Sequence, residues 1–404
     1  MGFAGLWDSL LPAGRDPGTG GYRRYAFTDA DRQCREWFSD HAFERSMRLQ
    51  ADRDSNLWAW WDRPGGGAAV VTGSHLDSVP DGGAFDGPLG VVSGFAAVDL
   101  LRSRGFEPVR PIAVTAFTEE EGGRFGLACL GSRLLTGATD PAAARELRDG
   151  DGVTLAEAMT SAGFDPSAIG PDEELLGRVA AYVELHIEQG SALDGLGAAV
   201  GVAAGIWPHG RWRFDFTGRA DHAGTTRLPD RRDPMLPYAA TVLAAREAAA
   251  AHGALATFGK VTAEPGAANA ISSAVHAWLD ARAADEGVLR VLAGHVEAAA
   301  AEAAAVHGVE VAVRRESFTP AVSFDPALRA RLAAALTASG ISAPALPTGA
   351  GHDAGILAAR LPTAMLFVRN PSGVSHSPAE HADQADCEAG VVALAAVLEE
   401  LAGR

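Results

Sequence analysis

The stretch "GAAVVTGSHLDSVPDGGAFDGPLG", residues 67–90, joins an apolar run to a loop that carries one histidine and three aspartates. The run Ala68–Val71 is typical of a strand buried within a sheet. His75 and Asp77 follow it at once, and Asp86 comes later in a glycine-bordered loop. Open α/β sheets bind ligands at the carboxyl ends of their strands, where these side chains are expected. The stretch therefore favours a metal site in which Asp77 orients His75. A Gly/Asp turn with a hydrogen-bonded histidine is the alternative.

Outward from this stretch, short apolar runs alternate with helix-like segments. "RPIAVTAFT" and "RVAAYVELHIEQG" are typical of strands, whereas "GVVSGFAAVDLLRSRG" predicts a helix that ends at Gly105. Apolar strands that alternate with helices predict an α/β fold with a mostly parallel, covered sheet.

The middle of the chain has a different order of elements. Between residues 209 and 322 the order strand, helix, strand, strand, helix, strand predicts a ferredoxin-like βαββαβ unit. The strand–helix alternation returns after it. We therefore expect one discontinuous domain, residues 1–208 and 323–404, interrupted by an inserted domain, residues 209–322.

The composition of the chain disfavours several classes of binding partner. The 404 residues include 51 acidic and 34 basic ones, for a formal net charge of −17. This balance disfavours nucleic acid and anionic membranes as partners. The three cysteines are far apart and indicate thiols of a reducing compartment. Without a signal-peptide pattern or an apolar stretch of about 18 residues, we expect a cytoplasmic protein.

Two further strand ends carry ionisable residues. "AFTEEEGGRFG", residues 116–126, places Glu120 and Glu121 after a strand. Such neighbours can divide the work, one binding metal and one transferring protons, although acidic runs are often solvated turns. In "YVELHIEQG", residues 182–190, alternation places Glu184, His186 and Glu188 on one face. Burying such a stripe is costly without cations.

Three histidines in glycine-containing segments carry weaker signals. They are His222 in "GRADHAGTT", His352 in "TGAGHDAGILAA" and His376 in "NPSGVSHSPAEH". A structural role is the simpler interpretation of His222 when it is taken alone. Together the three add nitrogen donors to the carboxylates above.

The order of these motifs along nearly the whole chain resembles the metal-dependent M20 peptidase family. Within it, the sequence is similar to the hydantoinase/carbamoylase branch, because aminopeptidase-like members carry a carboxylate where His186 stands. The resemblance implies a catalytic α/β domain interrupted by a smaller dimerisation (lid) domain. It also implies two divalent ions, Zn²⁺, Mn²⁺, Co²⁺ or Ni²⁺, bridged by Asp86. One ion would be held by His75 and His186, the other by Glu121 and His376.

The resemblance also implies roles for other residues. Glu120 would act as general base, with Asp77 beside it, and His222 would stabilise the anionic intermediate from the neighbouring subunit. Arg282 and Asn269 would bind a substrate carboxylate. The complete set of expected substrate-binding residues is Gln189, His209, Asn269, Arg282 and His352.

The expected activity is hydrolysis of a ureido C–N bond by a homodimer, which releases ammonia and carbon dioxide. The substrate would be an N-carbamoyl-L-amino acid or allantoate. An amidase or peptidase of another substrate class, or a metal-binding protein without catalysis, are the alternatives. The chain departs from the branch pattern at Arg227-Leu228, Ser272-Ser273, His209 and Arg369, which bears on substrate specificity rather than on the metal ligands.

Overall fold

The computed structural model describes residues 2–403, which divide into two compact units. Residues up to Ala204 and those from Ser323 onward form unit 1, and Gly205–Val322 form unit 2. The expected insert, residues 209–322, lies inside unit 2. Among the described residues, no helix combines the length and apolar composition needed to cross a bilayer.

Residues 2–403 contain fifteen strands and thirteen α-helices. The strands are β1 (Arg48–Ala51), β2 (Leu57–Trp61), β3 (Ala69–His75), β4 (Ile112–Phe117), β5 (Val179–Ile187), β6 (Val200–Ile206), β7 (His209–Thr217), β8 (Asp221–His222), β9 (Leu255–Glu264), β10 (Ala270–Ile271), β11 (Ala274–Arg282), β12 (Glu310–Thr319), β13 (Val322–Ser323), β14 (Ala345–Thr348) and β15 (Thr363–Val368). The helices are α1 (Phe3–Leu10), α2 (Asp29–Glu44), α3 (Pro88–Ser103), α4 (Leu130–Thr136), α5 (Pro141–Arg145), α6 (Leu155–Ser161), α7 (Glu173–Leu176), α8 (Ala192–Leu196), α9 (Met235–His252), α10 (Glu286–His307), α11 (Pro326–Ala338), α12 (Asp353–Leu357) and α13 (Gln384–Ala402).

The sheet of unit 1 has nine strands in the order β1-β2-β4-β3-β5-β15-β6-β13, with β14 paired to β6. Its four central strands, β4, β3, β5 and β15, run parallel. The predicted parallel α/β sheet is therefore confirmed at the centre. The antiparallel strands β1, β2 and β6 were not predicted from the sequence.

The central strands are buried along nearly their whole length because helices cover them. Every residue of β3, β4 and β15 is buried, and α3 and α13 pack against these strands. Such burial removes the alternation of polar and apolar residues seen in half-exposed strands. The core includes Val70, Phe95, Val114, Leu185, Leu366 and Leu394.

One glycine joins the sheet to the helix that follows β3. Gly87 has φ +84°, a conformation that favours glycine, and Pro88 opens α3. A Cβ atom on Gly87 would lie 2.4 Å from the His75 ring. The glycine therefore allows the start of α3 to lie directly against His75.

Unit 2 is an antiparallel sheet, ordered β12-β7-β11-β9, with helices α9 and α10. In β11, Val275, Ala277, Leu279 and Ala281 are buried in alternation with more exposed residues, as expected of a sheet covered on one face. The βαββαβ order predicted from the sequence is confirmed.

Candidate metal centre

Ionisable side chains meet at the carboxyl ends of the parallel strands of unit 1. Because these strands run in the same direction, their carboxyl ends share one edge of the sheet. His75 ends β3, His186 lies near the end of β5, and Asp86 immediately precedes the turn into α3. The loops after β4 and β15 supply Glu121 and His376. The five residues expected to bind metal thus lie in one region.

Asp86 is the centre of this region. Its Oδ1 lies 3.6 Å from His75 Nε2 and 3.2 Å from His186 Nε2. Its Oδ2 lies 3.3 Å from His376 Nε2, which is in turn 3.4 Å from Glu121 Oε2. The ligand atoms form two groups, His75/Asp86/His186 and Asp86/Glu121/His376, each within 4.8 Å. One carboxylate therefore contacts two potential cation sites through different oxygens, as a pair of bridged cations requires.

The two buried imidazoles are oriented as metal ligands are. His75 Nδ1 lies 3.2 Å from the Asp77 carbonyl oxygen, and His186 Nδ1 lies 2.9 Å from the Ile187 carbonyl oxygen. A ring nitrogen held in this way leaves the other one to bind metal. The Nε2 atoms of both rings and Glu121 Oε1 are buried and have no hydrogen-bond partner among residues 2–403. Buried polar atoms seldom lack partners, so these residues fit bound cations.

The electrostatics of the region also favour positive ions. Burial raises the pKa of Glu121 to about 7 and that of Glu120 well above its usual range. Burial also acts to raise the pKa of Asp86, but the three nearby imidazoles hold it well below its usual range. The hydrogen bond with Asp86 raises the pKa of His376 to about 9. A bound cation would stabilise the carboxylates in their charged form.

Asp77 contacts His75 and also holds the loop after β4. Its Oδ1 accepts a hydrogen bond from the Glu120 backbone N–H at 3.1 Å, and its Oδ2 accepts one from that of Glu121 at 3.0 Å. The side chain of Glu120 is buried, with Oε2 3.7 Å from His75 Nε2. Its Oε1 accepts a hydrogen bond from the Cys129 thiol at 3.2 Å. Glu120 thus directs one oxygen towards the expected metal ligands without joining either group.

Comparison with known proteins identifies the family. Residues 71–400 match the sequence profile of peptidase family M20/M25/M40. The chain belongs to this family. N-carbamoyl-L-amino acid amidohydrolase of Geobacillus stearothermophilus is 37% identical, over 98% of this chain and 98% of its own length. Allantoate amidohydrolase of Escherichia coli (strain K12) is 31% identical, over 97% and 96%. The crystal structure of a hydantoinase/carbamoylase family amidase from Burkholderia multivorans has a TM-score of 0.87 at 32% identity, covering 100% of this chain and 98% of that one.

Two of the expected substrate-binding residues of this M20 chain contact its expected metal ligands. Gln189 Nε2 donates hydrogen bonds to Asp86 Oδ2 at 2.8 Å and to Ser375 Oγ at 3.1 Å. His352 packs edge-on against His186, with ring centroids 4.5 Å apart. Gln189 Oε1 and His352 Nε2 are buried without a hydrogen-bond partner among residues 2–403. Both side chains therefore have polar atoms that a ligand could satisfy.

The other three expected substrate-binding residues and His222 lie in unit 2, where the four residues form two neighbouring pairs. His222 is exposed in β8, and the backbone N–H of the next residue donates to the Asn269 carbonyl at 3.1 Å. His209 opens β7 and is the register partner of Arg282 at the end of β11. Arg282 Nε donates to Asp280 Oδ1 at 2.8 Å, so this guanidinium already has one carboxylate beside it.

Sequence reasoning did not find Glu380, which accepts hydrogen bonds from the backbone of Phe85 and Asp86. It follows His376 by four residues, and a single glutamate there has no distinctive spacing. Sequence reasoning also grouped Glu188 with His186. In the structure Glu188 instead accepts hydrogen bonds from the backbone N–H groups of Ala192 and Leu193 at the start of α8.

Proposed function

We propose that this protein is a two-metal amidohydrolase that cleaves the ureido C–N bond of an N-carbamoyl-L-amino acid or of allantoate. The main observation behind this proposal is that Asp86 contacts one ligand group through Oδ1 and the other through Oδ2. The names of the two full-length relatives support the substrate class.

His75 and His186 would hold one cation, Glu121 and His376 the other, and Asp86 both. Imidazole and carboxylate ligands suit Zn²⁺, Mn²⁺, Co²⁺ or Ni²⁺. When bound, such cations act as Lewis acids that lower the pKa of water from 15.7 to about 7 and so provide a nucleophile at neutral pH.

Glu120 is the group that moves protons in this proposal. Ureido carbons resist attack because nitrogen lone pairs delocalise into the carbonyl. Glu120 would take a proton from the attacking water and return it to the leaving nitrogen. Addition of one water breaks the C–N bond, releases ammonia and leaves a carbamate, which then loses carbon dioxide. The backbone hydrogen bonds from Glu120 and Glu121 to Asp77 would keep the base at a constant distance from the substrate.

We further infer that unit 2 completes the site in a homodimer. The exposed imidazole of His222 would donate a hydrogen bond to the anionic oxygen in the transition state of the neighbouring subunit. Arg282 and Asn269 would bind the substrate carboxylate, for which a guanidinium is suited. The net charge of −17 and the small polar substrate fit a cytoplasmic enzyme that binds neither nucleic acid nor membranes.

The test measures metal content and ammonia release together. Metal-free protein is reloaded with Mn²⁺ or Zn²⁺ and incubated with N-carbamoyl-L-amino acids, allantoate, N-acetyl amino acids and dipeptides. We expect two cations per chain and turnover of ureido acids alone. Turnover of acetyl or peptide substrates alone would support the amidase alternative, and two cations without turnover would support a non-catalytic protein.

Matched histidine variants complete this test. His75→Ala should lose metal and activity. His41→Ala should keep both, because His41 is also a buried histidine but is hydrogen-bonded to Glu44 in α2, apart from both ligand groups. A dilution series should reveal loss of turnover as the subunits separate.

A further inference from the structure

A buried glutamate outside both ligand groups holds the backbone of Asp86. Glu380 is 5% exposed, and its Oε2 accepts hydrogen bonds from the backbone N–H groups of Phe85 and Asp86, both at 2.9 Å. Its own backbone N–H donates to the Ser377 carbonyl oxygen at 3.0 Å. Glu380 therefore links the turn that follows His376 to the loop that ends at Asp86.

The loop from Ser375 to Glu380 contacts both the side-chain carboxylate and the backbone nitrogen of Asp86. Ser375 Oγ lies 3.3 Å from Asp86 Oδ2, and so does His376 Nε2. Glu380 holds the backbone nitrogen of the same aspartate. Because this loop binds both the carboxylate and the main chain of Asp86, the distance between Asp86 and His376 depends on the conformation of the loop.

Gly83 shows that the chain is adapted to this contact. A Cβ atom at Gly83 would lie 2.3 Å from Glu380 Oε2 and 2.5 Å from Glu380 Cβ. Only a residue without a side chain allows the carboxylate to approach the loop so closely.

Folding stability alone does not account for Glu380. Its Oε1 is buried without a hydrogen-bond partner among residues 2–403. A buried carboxylate with an unsatisfied oxygen beside a second carboxylate is destabilising. The contribution of Glu380 is therefore the position that it imposes on Asp86.

We propose that Glu380 is a positioning residue that sets the geometry of Asp86 relative to His376 and so tunes affinity for the cation shared with Glu121. This inference rests on the proposed two-metal site. It predicts that losing Glu380 weakens the Asp86/Glu121/His376 site more than the His75/Asp86/His186 site. Asp86 belongs to both sites, but only His376 shares a loop with Glu380, whereas His75 and His186 are anchored through their own Nδ1 atoms.

The experiment is a calorimetric titration of the metal-free full-length protein with Zn²⁺, with metal content measured after gel filtration. The parent should bind two cations. Glu380→Ala should bind the second cation at least about 10-fold more weakly, the loss typical of outer partners of metal ligands, and should show a smaller loss for the first cation. Glu380→Gln keeps an oxygen for both N–H groups and should restore the second affinity. His376→Ala provides the reference profile for loss of this site.

Glu188→Ala is the matched control. Glu188 is a buried glutamate that also accepts two backbone N–H groups, at 2.6 and 2.9 Å, but it holds the start of α8 and no ligand-bearing loop. It should leave both affinities unchanged. Gly83→Ala is the second probe if Glu380→Ala does not fold, because its methyl group would displace the Glu380 carboxylate and produce the same selective loss.

Each result has one meaning. The inference is overturned if Glu380→Ala binds the second cation with parental affinity. Where Glu380→Ala does not fold, the same result in Gly83→Ala overturns it. An equal loss of affinity in Glu188→Ala also overturns it. A failure of Glu380→Gln to restore the second affinity also overturns it. A parent that binds fewer than two cations refutes the proposed two-metal function itself.

Discussion

Replacing Asp77 by asparagine should weaken the metal centre and slow turnover together. The two carboxylate oxygens of Asp77 accept the backbone N–H groups of Glu120 and Glu121 at 3.1 and 3.0 Å. Asparagine keeps one acceptor, but its NH₂ group must face the other backbone N–H. One of the two residues then loses its anchor, and the position of either the base or a metal ligand becomes less defined.

The magnitude follows from these contacts. A hydrogen bond to a charged acceptor contributes about 1.5–3 kcal/mol, and a factor of ten corresponds to about 1.4 kcal/mol. Losing one such bond should therefore reduce kcat or metal affinity by about 10- to 100-fold, which agrees with the range for outer partners of metal ligands.

Ammonia release and calorimetric metal titration measure the two quantities. Asp52→Asn is the matched control, since the buried Asp52 Oδ1 also accepts two backbone N–H groups, from Asp54 and Asn56 at 3.0 and 2.8 Å. It belongs to neither ligand group and should lower thermal stability without changing metal affinity. Unchanged kcat and metal affinity in Asp77→Asn, or the same losses in Asp52→Asn, would refute the reasoning.

Three further outcomes are expected. Glu120→Gln should retain two cations but lower kcat by about 10²- to 10⁴-fold, the range for a positioned proton-transfer group, as ammonia release and metal analysis would show. Gly87→Ala should weaken metal binding measured by calorimetry, because its φ is +84° and its Cβ would lie 2.4 Å from the His75 ring. Burial raises the pKa of Asp54 to about 8, so the Asp54 carboxyl loses its proton at a lower pH in the unfolded chain than in the folded one. The free energy of unfolding therefore falls as the pH rises from about 4 to 8. Asp54→Asn keeps an acceptor for Gly170 N–H and should be more stable than the parent at pH 8 and equal to it at pH 4. Urea unfolding that showed the same difference at both pH values would contradict this.

Much of the fold could be predicted because the relevant signals are local. The apolar run before His75 lies in β3, and the helix predicted to end at Gly105 is α3, which ends at Ser103. Thr28, directly before α2, accepts a hydrogen bond from the backbone of Asp31. Helix caps, side-chain alternation and apolar runs depend on residues a few positions apart, so the sequence contains them directly.

The antiparallel strands of the sheet were less accessible to sequence reasoning. β1 and β2 have only four and five residues, and β1, β2 and β6 pair antiparallel with their neighbours. Their burial depends on which strand lies beside them, and a short run does not specify its neighbour.

The motif order along the chain was sufficient to identify the family and to nominate Asp86 with its four companions. Only the tertiary structure decided that Oδ1 of Asp86 faces two imidazoles and Oδ2 a third, that Asp77 holds the backbone of Glu120 and Glu121, and that Glu380 anchors Asp86. These contacts join residues up to 295 positions apart, through loops whose meeting depends on the strand order β4-β3-β5-β15. Spacing along a chain determines local geometry, whereas the distance between two loops depends on packing of the strands that carry them.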